Sequence, residues 1–505
     1  MAHKANRYAP VVLACLLLSA CEVGPDYQKP AAASPPAYKE SSETVAKTEG
    51  WKPAQPRDAA NRGAWWSIYN DPVLVGIESQ VEISNQNLKA SEAAFRQARA
   101  LVSEARAGYF PVLGANASVQ RSGQGGGSSS GGTTFSASRA QTQYDLTASA
   151  SWDLDLWGRI RREVESNEAS AQASAADLAS ARLSFQAELA SDYFSLRIDD
   201  ELARLLNATV EAFQKSLEIT QNRYHAGVAA KSDVAQAQTQ VETTRAQAIA
   251  VGVQRAQLEH AIAVLIGKPP AEFSIAPEPF KSDIPEVPAG VPSTLLERRP
   301  DIAGAERRVA AANAQIGVAI AAYYPDLTLS ASYGFAGPVL GTLIQASNAV
   351  WALGPQLAET IFNGGLREAQ VEAAKAAYDQ TVADYRQTVL SGFQQVEDEL
   401  SNLRILAQQA QVQDGAVKHA EESESLILNE YKAGTVDYTS VVTAQATALS
   451  NKQTLLNIQQ SQLAANVALI QALGGGWTRV DLPAGDQLKG NDTSSSMESK
   501  ESKSP

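Results

Sequence analysis

The stretch Tyr224-His225-Ala226-Gly227 returns 207 residues later as Tyr431-Lys432-Ala433-Gly434, and this repetition decides the fold. At the same offset Leu265-Ile266-Gly267 returns as Ala472-Leu473-Gly474. Each copy has the same order of segments: a short helical segment, two alternating strands, a very long helical segment, a tight turn and another helix. A period of about 200 residues is too long for a solenoid repeat and indicates a duplicated domain with internal pseudo-symmetry. Such a unit repeated around an axis would form a ring with a central hole.

The duplication divides the chain into six predicted segments. The first repeat covers residues 63–267 and the second covers 294–474, with a Pro-rich equatorial linker at 268–293 between them. Before them lie a lipoprotein signal peptide at 1–20 and a lipidated N-terminal tether at 21–62, and after them a C-terminal equatorial segment with a disordered tail at 475–505. The tether is rich in Pro, Ala, Ser and charged residues and has no periodicity, which predicts an extended linker.

The N-terminus has the pattern of a bacterial export signal. Lys4 and Arg7 precede an apolar core at 11–18, which is too short to span a bilayer. Leu18-Ser19-Ala20-Cys21 resembles the lipobox, in which the thiol is acylated and the cysteine becomes the first residue of the mature chain. The alternative is an ordinary signal peptide with an incidental cysteine. Glu22 after Cys21, in place of an aspartate, resembles lipoproteins that are sorted to the outer membrane.

Composition excludes several functional classes. The full chain has a net charge of −13 at pH 7 and no basic patch interleaved with aromatic residues, so nucleic-acid partners are not expected. Removal of the signal peptide leaves one cysteine, which rules out a disulfide within the mature chain. No stretch of the mature chain reaches the ~18 consecutive apolar residues of a transmembrane helix, so any membrane crossing would use strands.

Catalytic and metal-binding patterns are missing from the sequence. The histidines of the mature chain, His225, His260 and His419, have no cysteine or carboxylate at metal-ligand spacing. Asp153 and Asp155 form a carboxylate pair, but strand alternation would point both into a barrel, where polar residues are expected. The Gly/Ser run at 122–132 lacks the Lys-Ser/Thr of a nucleotide-binding loop. We therefore predict no enzyme activity, no cofactor and no metal site.

Four short segments alternate between apolar and polar residues, as membrane strands do. They are Leu113–Gln120, Tyr144–Leu156, Leu327–Tyr333 and, more weakly, Trp351–Leu357. A soluble sandwich has the same period of two, but no other segment could form its second sheet. Four strands are too few to close a membrane barrel, since the smallest single-chain examples have about eight. We therefore predict a barrel shared between subunits, with twelve strands in a homotrimer.

Two uninterrupted helical patterns, Arg159–Tyr224 and Leu366–Tyr431, predict helices about 100 Å long. Patterns about half as long predict helices stacked end to end beside them: Val73–Ala107, Lys231–Ile266, Thr294–Ala322 and Tyr438–Leu473. Their joints would meet at mid-height, where the linker and the C-terminal segment would form a belt. The helices are rich in Ala, Ser, Gln and Thr, which favours a wall with water on both sides over a solid core. A fibrous coiled coil has similar helices but would not carry the strands.

The two tight turns after the long helices are the candidate functional sites. Gly227 and Gly434 are predicted to take the left-handed conformation that ends a helix. In a helical tube these turns line the free end, and the side chains just past the second turn form the narrowest ring. The candidate tip and gate residues are Tyr224, Gly227, Asp233, Tyr431, Gly434, Asp437, Tyr438, Thr439, Ser440 and Thr443, the last five being the ring candidates. The alternative is that they only cap helices, which we expect of Asp233 in any case.

Further motifs extend over the whole mature chain. They are Cys21–Pro30, Trp65-Trp66 with Asp71-Pro72, Leu154–Arg159, Glu297–Asp301, Ala311–Asn313, Ile316-Gly317 and Tyr323–Pro325. Together they resemble TolC-type outer-membrane efflux proteins, of the lipoprotein branch called NodT-type. The resemblance implies a mainly α-helical fold with a membrane β-barrel: a trimeric twelve-stranded barrel, four strands per subunit, on a long periplasmic α-helical barrel with an equatorial domain.

This resemblance implies a passive exit duct for drugs or other small molecules, and hence a part in antibiotic resistance. Its partners would be a periplasmic adaptor that docks at the helix tips, an inner-membrane pump of the resistance-nodulation-division (RND) type, and outer-membrane lipid. Many relatives carry an aspartate where this chain has Thr443, and that aspartate forms an acidic ring at the constriction. Here Asp437 is the candidate substitute. Two other functions stay open: the outer component of a type I protein secretion system, and a non-conducting envelope lipoprotein.

Overall fold

The computed structural model describes residues 22–32, 34–35, 37–40, 64–123, 140–280, 284–285, 287 and 295–488. The predicted signal peptide, Cys21, residues 41–62 of the predicted tether, most of the Gly/Ser loop, much of the predicted linker after residue 280 and the predicted tail beyond residue 488 lie outside these ranges. Within the described part, none of the helices combines the length and the apolar character needed to cross a membrane.

Each repeat contributes four helices and two strands in the same order. The first repeat contains α1 (Pro72–Ser84), α2 (Gln86–Ala107), β1 (Val112–Ser122), β2 (Gln141–Asp153), α3 (Arg159–His225) and α4 (Lys231–Leu265). The second contains α5 (Leu295–Arg298), α6 (Pro300–Ala321), β3 (Asp326–Gly337), β4 (Ala349–Ala358), α7 (Leu366–Ala433) and α8 (Tyr438–Ala472). The two predicted long helices are confirmed, with 67 residues in α3 and 68 in α7.

The prediction of one continuous helix at 73–107 is wrong, because Asn85 divides it into α1 and α2. Asn85 has an extended backbone, and its Oδ1 accepts the N–H of Leu88 at 2.9 Å, as an N-cap does. Its Nδ2 donates to the carbonyl of Leu265 at 2.8 Å, which satisfies a free carbonyl at the end of α4. The sequence pattern did not predict this break, because a single polar residue such as Asn85 does not interrupt a helical period of apolar residues.

The second repeat is divided at the corresponding point, so the prediction of one helix at 294–322 is also wrong. Arg299 is extended and precedes Pro300, the first residue of α6, because a residue before proline is disfavoured in the helical region. Arg299 Nη1 donates to the carbonyl of Ala472 at 3.0 Å, at the end of α8. Asn85 and Arg299 thus perform the same task in the two repeats.

The predicted end-to-end stacking of the half-length helices is confirmed at both joints. Gly267, just after α4, has a φ of 70°, and a Cβ there would lie 2.2 Å from the carbonyl oxygen of Ser84. Gly474, just after α8, has a φ of 91°, and a Cβ there would lie 2.1 Å from the carbonyl oxygen of Arg298. Only glycine allows both this backbone conformation and this close approach, so each joint depends on it.

The linker packs against the helix joints at mid-height, but the C-terminal segment extends from there towards the sheet. Ile275 belongs to the core that surrounds Trp65 and Tyr193 at mid-height. Gly475 lies against Leu183 of α3, whereas Leu488 is buried against Ala171, about 20 Å closer to the sheet. The predicted belt therefore holds for the described part of the linker only. The C-terminal segment instead runs along α3 towards the strands.

The described part of residues 22–40, here called the N-terminal strap, is extended but packed along the helices. The N–H of Val23 donates to the carbonyl of Trp157 at 3.2 Å, where β2 passes into α3. Tyr38 is fully buried against α6 and α7. The carboxylate of Glu397 accepts the N–H groups of both Lys39 and Glu40, at 2.7 and 3.0 Å. The predicted tether is thus extended in this part, but it is packed against the helices through long-range partners that composition does not show.

The four predicted strands form one antiparallel sheet in the order β1-β2-β3-β4. At its centre, Leu146 of β2 stands between Ala117 of β1 and Phe335 of β3. β1 and β4 are the edges, and neither has a further strand beside it within the described residues. The sheet is therefore open on both sides in one subunit.

The strand pattern expected up to Leu156 ends earlier, at Asp153. Asp155 lies in the turn with a φ of 45°, and its carboxylate accepts the N–H groups of Ile160 and Arg161 at 2.8 and 3.1 Å. Asp153 pairs with Arg159 at 2.7 Å. The expectation that both aspartates face a barrel interior is wrong, because Asp155 caps the start of α3 instead.

Candidate functional site at the hairpin tips

Both hairpin turns end their long helix with a left-handed glycine, as predicted. Gly227 has a φ of 78° and Gly434 a φ of 87°. The N–H of Val228 donates to the carbonyl of Arg223, and the N–H of Thr435 to the carbonyl of Glu430, both at 3.0 Å. These bonds satisfy carbonyls that the helix end leaves free. The two turns therefore have matching backbones.

Asp233 and Asp437 start the returning helices. Asp233 accepts the backbone N–H of Ala230 at 3.2 Å, which confirms its expected capping role. Asp437 accepts the backbone N–H of Ser440 at 2.9 Å and the hydroxyl of Ser440 at 2.8 Å. These two hydrogen bonds from Ser440 hold the pKa of Asp437 below its usual range. Asp437 and Ser440 therefore cap the start of α8, as the alternative interpretation of these residues expected. The Asp437 carboxylate nevertheless remains exposed and charged.

Tyr431 and Tyr438 form the core of the second tip. Their rings meet edge to face with centroids 5.3 Å apart, and both side chains are buried. Val441 and Ala237 complete this cluster. The prediction that Tyr438 lines the narrowest ring is therefore wrong. Helical spacing places 438 and 441 on the packed face of α8, and burial raises the pKa of Tyr438.

Thr439 and Thr443 lie on the opposite, exposed face of α8, one helical turn apart. The hydroxyl of Thr443 donates to the carbonyl of Thr439 at 2.9 Å, and that of Thr447 donates to the carbonyl of Thr443 at 2.8 Å. These residues line a groove of about 420 Å³ between α7 and α8, which Ala420 and Ser423 complete. The groove is neutral apart from Asp437, since the threonines carry no charge.

Arg223 joins the two tips, although it is not among the candidate tip and gate residues. Its Nη1 donates to the carbonyls of Tyr431 and Lys432 at 2.7 and 3.2 Å. The centre of its guanidinium lies 4.7 Å from the centroid of the Tyr431 ring. One signal could have pointed to it: at the repeat offset, Arg223 corresponds to Glu430, a charge reversal directly before the matching Tyr224 and Tyr431.

The remaining site predictions fall on the first tip or outside the described ranges. Tyr224 is exposed, and its ring centroid lies 5.8 Å from that of His225. Cys21, the predicted acylation site, is outside the described ranges. Among the residues that the structure does describe, no cluster of three or more His, Cys, Asp or Glu side chains could hold a metal ion.

Residues 78–268 and 291–475 match the outer membrane efflux protein family. The chain belongs to this family. It is 31% identical over 470 residues to the probable efflux pump outer membrane protein TtgC of Pseudomonas putida, covering 92% of this chain and 95% of the relative. It is 30% identical over 469 residues to the pyoverdine export outer membrane protein OpmQ of Pseudomonas aeruginosa, covering 92% of this chain and 96% of the relative.

Solved structures agree with this assignment. The outer-membrane channel OprN is 29% identical, with a TM-score of 0.81 over 90% of this chain and 100% of that chain. The open state of the MtrE outer membrane channel of Neisseria gonorrhoeae is 26% identical, with a TM-score of 0.76 over 91% of this chain and 99% of that chain. The predicted family, fold class and outer-membrane location are thereby confirmed. The family also makes the chain an efflux channel protein and not an enzyme.

Proposed function

We propose that three copies of this chain form the passive exit duct of a tripartite efflux pump, which carries small molecules across the outer membrane. The observation that supports this most strongly is the open four-stranded sheet at one end of helices about 100 Å long. A sheet with two free edges needs further strands to close in a membrane. Three sheets supply twelve strands, and the helices continue the same wall below them.

The order of elements supports a head-to-tail ring. Between the helix joints and the hairpin tips, neighbouring helices follow the order α4, α3, α8, α7. Between the joints and the strands, they follow the order α2, α3, α6, α7. One side of the subunit is thus formed by β1, α2 and α4, and the other by β4 and α7. In the two repeats, α3 corresponds to α7 and α4 corresponds to α8. Inside the subunit, the long helix α3 of the first repeat contacts the returning helix α8 of the second. Between subunits, the long helix α7 would make the equivalent contact with the returning helix α4 of the next copy. A head-to-tail contact of this kind closes into a ring when its rotation fits.

Exposed apolar side chains on both sides support the same assembly. Ile249 and Val253 lie exposed on α4, and Ile405 and Val412 lie exposed on α7. Large apolar residues that recur along the outer helices of a subunit mark a surface that another protein covers. A neighbouring copy in the ring would cover them.

The partners we propose follow from the free end of the helices and from the family. A periplasmic adaptor would dock at the hairpin tips, and an inner-membrane RND-type pump would supply the energy. The cargo would be drugs, solvents or other small molecules, as the names of several relatives state for those proteins, and antibiotic resistance would follow. Asp437 would contribute the only charge of the α7–α8 groove to the gate among the described residues, beside the neutral Thr439 and Thr443.

We also propose that acylated Cys21 anchors the chain in the outer membrane. Glu22 pairs with Arg162 at 3.2 Å, which places the first described residue at the junction of sheet and helices. The expected result for Cys21→Ser is loss of palmitate labelling with the trimer still formed. The matched control is Cys15→Ser, within the predicted signal peptide, which should label normally. Labelling that persists in Cys21→Ser would refute the lipobox.

Conductance in planar bilayers tests the proposed duct. The purified protein should migrate as a heat-resistant trimer and should open stable, voltage-independent channels. Asp437→Ala combined with Thr443→Ala should keep the trimer and shift its ion selectivity away from cations, because a negative charge at the gate is removed. A trimer that stays closed in both forms would favour the non-conducting envelope lipoprotein. Co-purification with an ATP-driven exporter in place of an RND pump would favour type I secretion.

A further inference from the structure

The strand pairs of the two repeats share one register. Val112 of β1 lies opposite Ser151 of β2, and Asp326 of β3 lies opposite Ala358 of β4. Asp326 follows Val112 by 214 residues, and Ala358 follows Ser151 by 207 residues. Each of these offsets also relates matching sequence motifs of the two repeats. A contact that closes one joint of the sheet therefore predicts the equivalent contact at another joint.

The joint where β2 meets β3 shows how the base of the sheet is closed inside the subunit. The N–H of Leu154 donates to the carbonyl of Leu327 at 3.2 Å, just beyond the last pair of the two strands. The ring of Trp157 stacks on that of Tyr324 with centroids 4.7 Å apart. Trp157 Nε1 also donates to the carbonyl of Pro325 at 2.9 Å. An aromatic side chain after β2 thus covers an aromatic side chain before β3.

The equivalent positions at the two free edges of the sheet are uncovered. Phe110-Pro111, directly before β1, corresponds to Tyr324-Pro325, directly before β3. Phe110 is 69% exposed, compared with 37% for Tyr324. After β4, the position that corresponds to Trp157 is Gly364, which has no side chain to cover a neighbour. The nearest aromatic residue in the chain is Phe362, which is 87% exposed.

We propose that the turn between β4 and α7 docks at the base of β1 in the partner subunit, where Phe362 covers the partner's Phe110. This proposal rests on the trimeric duct proposed above and assigns the residues that close its strand joint. The turn continues directly from β4, and Phe110 lies two residues before β1, so both belong to the edges that the ring brings together. Two exposed phenylalanines at such edges fit each other, because an aromatic pair removes both rings from water. The N–H of Ile361 donates to the carbonyl of Leu113 of the partner subunit, as Leu154 does inside the subunit.

The offsets also assign the register of this joint. They convert the pair of Ser151 with Ser330 inside the subunit into a pair of Ala358 with Asn116 of the partner subunit. Both positions lie on the polar face of the sheet, since Ala358 lies opposite Asp326 and Asn116 alternates with apolar neighbours. A slip of one residue would turn the polar positions of β4 onto the apolar face. A slip of two residues would move the two phenylalanines apart by about 7 Å.

Disulfide cross-linking in isolated outer membranes tests the register. The predicted mature chain contains only Cys21, so introduced cysteine pairs can be assigned. Directly opposite residues of antiparallel strands have Cβ atoms about 4.5–5.5 Å apart, which a disulfide can bridge after a small shift. Asn116→Cys combined with Ala358→Cys should form a covalent trimer on oxidation, seen on gels after boiling without reductant. The control is Ser118→Cys combined with Ala358→Cys, on the same face but two residues away, which should give several-fold less. Each single variant should give none.

Heat dissociation of the trimer, followed on gels, tests the contact between the two rings. Phe110→Ala and Phe362→Ala should each lower the temperature at which the trimer dissociates. The double variant should lower it no further than the more damaging single variant, because each substitution already removes the shared contact. Val480→Ala, at a valine that is 90% exposed and lies outside the joint, should dissociate as the wild type does.

The proposal is overturned if the wild type forms conducting trimers but the pair at Asn116 and Ala358 cross-links no better than the pair at Ser118 and Ala358. It is also overturned if the effects of the two alanine substitutions add, because each ring would then face lipid by itself. Cross-linking needs only an assembled trimer, so this comparison stays decisive if an alanine variant does not assemble. A wild-type protein that forms no trimer or no channel would instead refute the proposed duct.

Discussion

Arg299→Ala is expected to lower the free energy of unfolding by about 2 kcal/mol, because it removes a nearly buried guanidinium and leaves the carbonyl of the buried Ala472 without its donor. The Arg299 side chain is 9% exposed. Its Nε and Nη2 donate to the two carboxylate oxygens of Asp301 at 3.0 and 2.7 Å. Its Nη1 donates to Gln395 Oε1 at 2.8 Å and to the carbonyl of Ala472 at 3.0 Å. One guanidinium thus holds the start of α6, the middle of α7 and the end of α8 together.

Chemical unfolding followed by far-ultraviolet circular dichroism measures this effect on the purified protein in detergent. The matched control is Arg308→Ala on α6, the helix that Arg299 precedes, where the pair with Asp177 is half-exposed on both sides. Removal of such a surface pair should change stability by less than about 1 kcal/mol. Equal denaturation midpoints for Arg299→Ala and Arg308→Ala would show that the joint does not depend on the guanidinium. The motif Glu297–Asp301 would then need another explanation.

Leu146→Arg is the second large effect, and it should abolish the heat-resistant trimer. Leu146 stands at the centre of the sheet, between Ala117 and Phe335, on the apolar face of the alternation. An arginine on the lipid face at mid-membrane costs about 2–4 kcal/mol. In a trimer this cost occurs three times. We therefore expect loss of assembly in the outer membrane, measured by unheated gel electrophoresis of membrane fractions.

The neighbouring residue Thr147 provides the control at the same height. Successive side chains of a strand point to opposite faces, so Thr147→Arg places the same charge on the polar face. Its cross-strand partners are Asn116 and Gly334. Thr147→Arg should assemble normally and change the ion selectivity of the channel. The reverse outcome, with a normal Leu146→Arg trimer and a failed Thr147→Arg trimer, would mean that the two faces of the strand are assigned in reverse.

The regular elements could be predicted because their signals are local. A helix such as α3 has no proline and no internal glycine across its length, so propensity alone predicts it. The period of two in β2 likewise predicts a strand with two different faces. Gly227 and Gly434 end their helices because left-handed backbone favours glycine wherever it occurs. The offset of the repeats then predicted the duplicated order of elements.

Other features depend on partners that are far away in the chain, and only the tertiary structure decided them. The break at Asn85 needs the carbonyl of Leu265, and the packing of the N-terminal strap needs Glu397. Tyr438 is buried because Tyr431 lies against it. Composition and periodicity report on one segment at a time, whereas hydrogen bonds and burial at these sites join segments from both repeats. The sequence thus determined the elements and their repetition, and the fold determined which residues close the joints and which remain free at the tip.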